Sequence, residues 1–399
     1  YTDTQFAYNR QSPLYALTKT ALEKGQDLER IKVKLLRSMS TNIDNEHFEP
    51  LNEPLTDLKE KAKSLGLSIE ELCANIDIKE NPYTGNSIAL HHNNLPYRLQ
   101  GKGSKRLMSI AIQSELTKTG GIMLVDEIEQ GLEPDRISTL VNILKFNDKG
   151  QVFITTHNIN VIKECQGNNL FIVSKGTASL SNITTDLDNC RRYNPGVFFT
   201  PKVICCEGDT EFGILTAIDK WLFKTQKINF STLGVSIANV GGGANMYLYS
   251  SWLKEIGFDA CVFADDDIKE KYMPAKKYCQ SKGIDMFLCQ NGYCMERQIF
   301  QDLPWDAIVE ILNCPQTGFA KSYSIMTKEL NELLSQDLST DTQSRLRSEQ
   351  AERAIQFKWF KHIPGGEFLG GIITAYMEQM SDIAPLKQSI NSLIAWIEV

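Results

Sequence analysis

Four short, strongly apolar runs at 202–206, 235–240, 260–264 and 285–289 constrain this chain more than any other feature. The stretches between them, 209–223, 244–256 and 268–282, have helical length and composition. Strand and helix therefore alternate, which predicts a parallel sheet assembled from βαβ units. A second series lies upstream, from about 85 to 195. Its strands are expected at 121–125, 151–155 and 169–173, with a helix at 135–146 between the first two.

The flanks read differently. Residues 14–39 are rich in Leu, Lys and Glu, and 55–76 carry Leu55, Leu58, Ala62, Leu65 and Leu67 at a partial 3.6-residue period. Both stretches are expected to be helical, either as a hairpin that packs on a partner or as an ordinary helical subdomain. Residues 300–399 also read as mostly helical. The stretch 189–200, with Arg191, Arg192 and Pro195, and Pro201 just beyond it, reads as a linker. Three parts follow: 1–85 as a helical insertion or dimerisation segment, 86–195 as a first α/β domain, and 196–399 as a second α/β domain with a helical extension.

Composition narrows the class. The chain is 42% hydrophobic and 23% charged over 399 residues, ordinary for a globular protein with a large core. No apolar run is long enough to span a membrane and no signal peptide is visible, so a cytoplasmic protein without membrane partners is expected. The absence of an initiator Met reads as a fragment or a processed product. Ten cysteines occur without a CxxC pair, and none of the five His is spaced with them as a zinc ligand. Reduced core thiols are the expectation. The net charge of −7 is the wrong sign for a protein that binds nucleic acid mainly by neutralising phosphates. Either the partner is something else, or acid is concentrated in a metal site while cations cluster locally.

The upstream series carries half of a nucleotide site. Residues 121–125 are an apolar run ending in Asp126 and Glu127. In nucleotide hydrolases one such carboxylate lies by Mg²⁺ and the next polarises water. A second apolar run, 151–155, ends near His157, and Gly101-Lys-Gly-Ser-Lys-Arg106 precedes a helix expected at 107–116. Glycines there let the backbone approach a phosphate, and the helix N-terminus offers free N–H groups. In order and spacing these segments resemble the ABC-type ATPase family. The resemblance implies that Gly103 and Ser104 belong to the signature loop and Asp126 is the Walker B acid. It further implies that Glu127 is the catalytic acid, 131–135 the D-loop and His157 the switch His. Two features depart from the family: no GxxxxGK[ST] occurs anywhere, and Lys102 stands where a Ser is usual. This chain alone is therefore not expected to hydrolyse ATP. The P-loop lobe is expected to lie outside this sequence, and ATP to bind if that lobe is present; the alternative is a degenerate, structural ATPase-like domain.

The downstream series carries acids at its strand ends. The run 202–206 leads into Glu207-Gly-Asp-Thr-Glu211, and 260–264 into Asp265-Asp-Asp267. In an extended segment Asp265 and Asp267 point to one side. If the two strands are neighbours, four carboxylates converge. Two unit charges about 4 Å apart repel by roughly 4 kcal/mol at an effective dielectric near 20. Several such pairs rival the stability of a whole domain, about 5–15 kcal/mol. Protonation, a basic partner or bound cations must then offset the repulsion, and hard oxygen donors favour Mg²⁺, Mn²⁺ or Ca²⁺.

This pattern is similar to the Toprim fold of topoisomerases, primases and OLD-family (overcoming lysogenization defect) nucleases. An ABC-type ATPase followed by Toprim resembles the OLD family, including Gabija-type and retron-associated anti-phage effectors. The fold the resemblance implies is α/β: the C-terminal lobe of an ABC-type ATPase with a helical insertion, then a Rossmann-like parallel Toprim sheet with helical additions. It implies Glu207, Asp265 and Asp267 as core metal ligands, with Glu211 and Glu296 completing a second site for two ions. One ion would activate water and the other would stabilise the leaving oxygen during phosphodiester hydrolysis. Toprim nucleases also need a cation near the scissile phosphate; Lys361 is the first choice and Lys358 the second. Lys102, Lys105, Arg106, Arg191 and Arg192 are candidates for holding the flanking backbone. DNA is the expected substrate, gated by the ATPase, with a homodimer or homotetramer and an accessory defence protein as expected partners. The rivals are a primase- or topoisomerase-like protein, a tRNA-cutting effector, and a non-catalytic ATP-dependent scaffold. None of the thirteen Tyr sits where a topoisomerase nucleophile would, and no long heptad coiled coil supports a scaffold.

Overall fold

The computed structural model describes residues 13–14, 16–17, 51–77, 87–93, 95–145, 150–173, 180–267, 269–313 and 338–398. The helical reading of 14–39 lies outside these, apart from Leu14, Ala16 and Leu17. Two compact units divide at Cys165 and Gln166.

In the first unit, helix α1 (Asn52–Ser64) buries Leu55, Leu58 and Ala62 on one face. It stops well before residue 76, where sequence periodicity carried it. Gly66 takes φ +89, Gly66 N–H donates to Lys63 O (2.9 Å) and Leu67 N–H to Ala62 O (3.0 Å). A left-handed glycine just past a helix closes its last carbonyls in this way. Leu65 and Leu67 are buried beyond the helix end, which is why the apolar period outran the helix. The chain then forms an antiparallel meander of β1 (Leu72–Asp77), β2 (Ser87–His92) and β3 (Leu95–Pro96), the first of which falls within the 1–85 stretch expected to be helical. Helix α2 (Lys102–Leu116) runs to strand β4 (Ile122–Val125). Helix α3 (Pro134–Lys145) crosses over to β5 (Gln151–Ile154), which pairs parallel with β4, and α4 (Ile159–Glu164) follows. Met123 and Val125 turn into the core, whereas Ile122, Leu124 and Phe153 on the other face are exposed.

The second unit begins with a hairpin of β6 (Phe171–Val173) and β7 (Leu180–Asn182). The run at 169–173 therefore does not extend the parallel series of β4 and β5; it pairs antiparallel with its own successor. Nor is 189–200 a linker. It contains α5 (Asp188–Tyr193) and a 3₁₀ turn at Pro195–Phe199, with Cys190, Val197 and Phe198 buried. Phe198 packs edge-on to Phe258 at 6.1 Å, and the Asn194 side chain pairs with both the N–H and the carbonyl of Asn239. Proline and arginine suggested a loop, but the apolar residues between them decide the packing. The compact unit accordingly starts before the 195/196 boundary expected from sequence.

A four-stranded, fully parallel sheet forms the heart of this unit. Its strands are β8 (Lys202–Cys206), β9 (Val235–Asn239), β10 (Asp259–Ala264) and β11 (Asp285–Leu288), in the order β11-β10-β8-β9. The connecting helices are α6 (Asp209–Gln226), α7 (Asn245–Glu255) and α8 (Met273–Ser281). Central strands covered on both faces carry continuous apolar runs. Val203, Ile204, Cys205 and Cys206 are all completely buried, as are Cys261 and Val262. Helices α9 (Met295–Asp302), α10 (Trp305–Asn313), α11 (Thr340–Gln356), α12 (Ile363–Tyr376) and α13 (Pro385–Glu398) share that apolar core. Lys202 at the start of β8 donates to the last carbonyls of α13, Trp396 O (2.9 Å) and Ile397 O (3.3 Å). No helix among the described residues is long and apolar enough to cross a membrane.

Candidate metal centre

The pairing of β8 with β10 places Cys206 beside Phe263, so both strands deliver their acids at the same sheet edge. In parallel α/β sheets that C-terminal edge is where ligands bind. A cavity of about 400 Å³ opens there, lined by Glu207, Gly208, Asp209, Thr210, Glu211, Asn239, Gly241, Gly242, Asp265 and Lys361. Glu207 is half-buried at the strand end, and Glu211 (3% exposed) sits in the first turn of α6. Asp265 (7% exposed) accepts Met295 N–H at 2.7 Å, which ties the β10 end to the start of α9. The chain bends at Asp266 rather than staying extended, and of the two outer acids Asp265 lines the cavity while Asp267 does not. Asp266 points elsewhere, to Lys276 Nζ (3.0 Å) and Gly292 N–H (3.1 Å), while Asp267 is exposed and close enough to Glu207 to act on its ionisation.

Lys361 and Glu296 arrive from the helical extension, which sequence pattern alone could not orient. Helices α6 and α12 cross with their backbones nearly touching. A Cβ on Gly366 would lie 2.2 Å from Thr210 O, one on Gly213 2.4 Å from Ile363 O, and one on Gly370 2.6 Å from Ala217 Cβ. Thr210 Oγ1 donates to Phe360 O (2.9 Å), and the His362 imidazole caps α12 by accepting Gly365 N–H (2.9 Å). Lys361 lies between these two anchors. Its Nζ is 3.1 Å from Glu296 Oε1, and the Glu296 side chain is completely buried. The other oxygen, Glu296 Oε2, is buried and meets no geometric hydrogen bond among the described residues. Lys358, the second choice for this role, is exposed and does not line the cavity.

The carboxylates repel one another. Burial first, and then Glu211, Glu296 and Glu207, push Asp265 up to about 8 although Lys361 pulls it down. Burial likewise raises Glu211 to about 7, with Glu207 and Glu296 adding to it against Lys361. Glu207 is raised too, by burial and then Asp267. Burial disfavours the Lys361 ammonium, but Glu296, Asp265 and Glu211 outweigh it and hold its pKa above the ordinary lysine value. Among the described residues no three Asp, Glu, His or Cys side chains stand close enough together to hold one ion. The donor set nevertheless suits a hard divalent cation: all oxygen, largely buried, mutually repelling, and with one buried carboxylate oxygen that meets no geometric hydrogen bond among the described residues.

The acids of the first unit form a separate group. Asp126 and Glu127 leave the end of β4 and are exposed, and Glu127 holds a left-handed backbone (φ +45). Such strain in a non-glycine residue collects at functional sites. Thr155 binds both: its hydroxyl donates to Asp126 Oδ1 (2.5 Å) and accepts Glu127 N–H (2.8 Å). Glu129, which sequence reasoning passed over, accepts the Thr156 hydroxyl (2.8 Å) and His157 N–H (2.6 Å), linking the two strand ends. Helix α2 begins at Lys102 rather than 107, so Gly103 and Ser104 lie in its first turn. Gly103 is needed there, because a Cβ would meet Gly131 O at 2.7 Å. Arg106 is not a free cation for a nucleic-acid backbone. It is 6% exposed and donates to the carbonyls of Asp126 and Glu127. Arg191, 3% exposed, is committed to Asp188 at 3.0 Å.

Comparisons with known proteins agree with both halves. A family described as "AAA domain, putative AbiEii toxin, Type IV TA system" matches residues 28–163. One described as "Overcoming lysogenization defect protein-like, TOPRIM domain" matches 198–267. No curated protein matches the chain. Among solved structures, the C-terminal region of the Burkholderia pseudomallei OLD protein aligns at 15% identity with a TM-score of 0.34, covering 50% of this chain and 99% of that one. In carrying an AAA-domain match followed by an OLD-like Toprim match, the chain is similar to the OLD-family ATPase–Toprim proteins.

Proposed function

We propose that this protein is a metal-dependent endonuclease that hydrolyses DNA phosphodiester bonds, with its AAA domain as a nucleotide-responsive gate, and that it serves anti-phage defence. The observation that carries the reading is the convergence of Glu207, Glu211 and Asp265 on one cavity, with Lys361 completing its wall and Glu296 joined to it through Lys361. Glu207, Glu211, Asp265, Asp267 and Glu296 would hold two divalent ions, Mg²⁺, Mn²⁺ or Ca²⁺. Bound there, the ions supply Lewis-acid activation of water and charge neutralisation for an in-line displacement.

The chain's own residues have distinct tasks. Met295 N–H fixes Asp265 by one oxygen. Gly242 N–H donates to Glu207 O (2.7 Å) and so braces the β8 end. Lys361, 41% exposed, can reach both Glu296 and a phosphate in the cavity, where an ammonium offsets charge developing on the reacting oxygens. In the first unit, Gly103, Ser104, Asp126, Glu127 and His157 would form part of an ATP site once a P-loop is supplied. A homodimer or homotetramer, and an accessory protein, fit this reading.

Cleavage of supercoiled and linear DNA in Mg²⁺, Mn²⁺ or EDTA tests it, comparing the wild type with Glu207→Ala and Asp265→Ala. Metal-dependent cutting that both substitutions abolish is expected. Cutting that survives them, or a folded wild type that cuts nothing in any metal, would refute the assignment.

A further inference from the structure

A chain of net charge −7 must draw a polyanion with local cations, and several of those suggested by sequence are committed elsewhere. Arg106 and Arg191 are buried among backbone carbonyls and an aspartate, and Lys105 Nζ donates to Arg98 O (3.0 Å). The segment after the 265–267 turn is different. Residues 269–277 hold four lysines and a single acid, Glu270. Lys269, Lys271 and Lys277 are exposed, and no ion pair among the described residues engages them.

This segment is anchored to the rim of the carboxylate cavity at two points. Lys276 Nζ reaches Asp266 Oδ1 at 3.0 Å, inside the acidic turn itself. The Tyr272 hydroxyl packs against Gly243, whose Cβ would lie 3.4 Å from it. Gly243 closes a run of three glycines with left-handed backbones, and the first two, Gly241 and Gly242, line the cavity with open space where a side chain would be. The Lys271 ammonium lies 4.8 Å over the Tyr272 ring, which holds that charge beside the same glycine loop. The glycine loop and the lysine segment thus meet at the mouth of the cavity, with the lysine charges exposed beside it.

We propose that residues 269–277 form the arm along which a DNA strand enters the carboxylate cavity. Lys269, Lys271 and Lys277 would contact phosphates flanking the scissile one. The inference rests on the nuclease reading and adds the surface that recruits the substrate. Phosphate contacts from surface lysines position a strand without reading its sequence, so the arm confers affinity and no base preference.

The test is binding of a fluorescein-labelled DNA duplex by the full chain, followed by anisotropy in Ca²⁺ over a salt series. The triple variant Lys269→Gln/Lys271→Gln/Lys277→Gln is compared with Lys254→Gln/Lys282→Gln, whose lysines are committed to Asp259 and Glu255. Thermal unfolding of both confirms the fold. Each phosphate contact removed lowers the slope of log affinity against log salt by about 0.9, so the triple variant should lose between about 2 and 3 in slope while the control loses none. A wild type that binds DNA, with a triple variant of unchanged slope, overturns the arm alone. A wild type that binds no DNA overturns the nuclease reading itself.

Discussion

Replacing Gly366 with Ala tests how the metal centre is assembled, because this glycine lets α12 lie directly on α6. The added Cβ would stand 2.2 Å from Thr210 O, 2.9 Å from Thr210 C and 3.0 Å from Gly213 Cα. All three are backbone atoms, so no rotamer change relieves the clash. An ordinary contact begins near 3.4 Å, so the helices must separate by about 1.2 Å. Overpacking of this kind costs about 1–3 kcal/mol, and the main-chain obstacle puts this case at the upper end. The same separation stretches the Thr210–Phe360 hydrogen bond, now 2.9 Å, and draws Lys361 away from Glu296, now 3.1 Å. Gly371 in the same helix is the control. Nothing lies within 4 Å of its Cβ position, so Gly371→Ala should gain roughly 0.5–1 kcal/mol from helix propensity. Urea unfolding of the two variants, with DNA cleavage measured in parallel, gives the comparison. Equal stability for the two, or an unaltered cleavage rate in Gly366→Ala, would refute the claim that this crossing sets the position of Lys361.

Two further outcomes follow from buried polar groups. Tyr247 is fully buried and its hydroxyl has no hydrogen-bond partner among the described residues, so Tyr247→Phe should leave stability unchanged or raise it by about 1 kcal/mol; a clear loss in thermal unfolding would contradict this. Asp265 and Glu211 are held up to about 8 and about 7, so between about pH 4 and pH 8 the folded chain keeps protons that the unfolded chain has released. Their contribution to stability therefore falls as pH rises across that window in EDTA and levels off above it. Asp265→Asn should flatten the trend in urea unfolding, and an unchanged pH slope in that variant would count against the shift.

The parts legible in the sequence were those fixed by local pattern. Val203 to Cys206 read as a strand because a central strand of a parallel sheet is buried on both faces, and the acids at 207 and 265 marked where that burial ends. Leu55, Leu58 and Ala62 showed the buried face of α1, but the same period continued through Leu65 and Leu67, which are buried by a turn rather than a helix. The 189–200 stretch misled for the opposite reason: its prolines and arginines are visible locally, while the burial of Val197 and Phe198 depends on the sheet they meet. Glu129 gave no local signal, because its role is to accept hydrogen bonds from Thr156 and His157, which follow the end of β5 well along the chain. The closeness of Lys361 to Glu296 depends on Gly213, Gly366 and Gly370, three glycines whose joint purpose appears only where two helices cross.

The most direct test of the metal centre is a Mn²⁺ titration of the full chain followed by electron paramagnetic resonance, with Glu207→Gln and Asp265→Asn as variants. The account predicts that the wild type removes two Mn²⁺ ions from solution per chain, that each substitution weakens or abolishes this binding, and that Mn²⁺ raises the unfolding temperature of the wild type alone. Equal Mn²⁺ binding by the wild type and both variants, or none by a folded wild type, would contradict it.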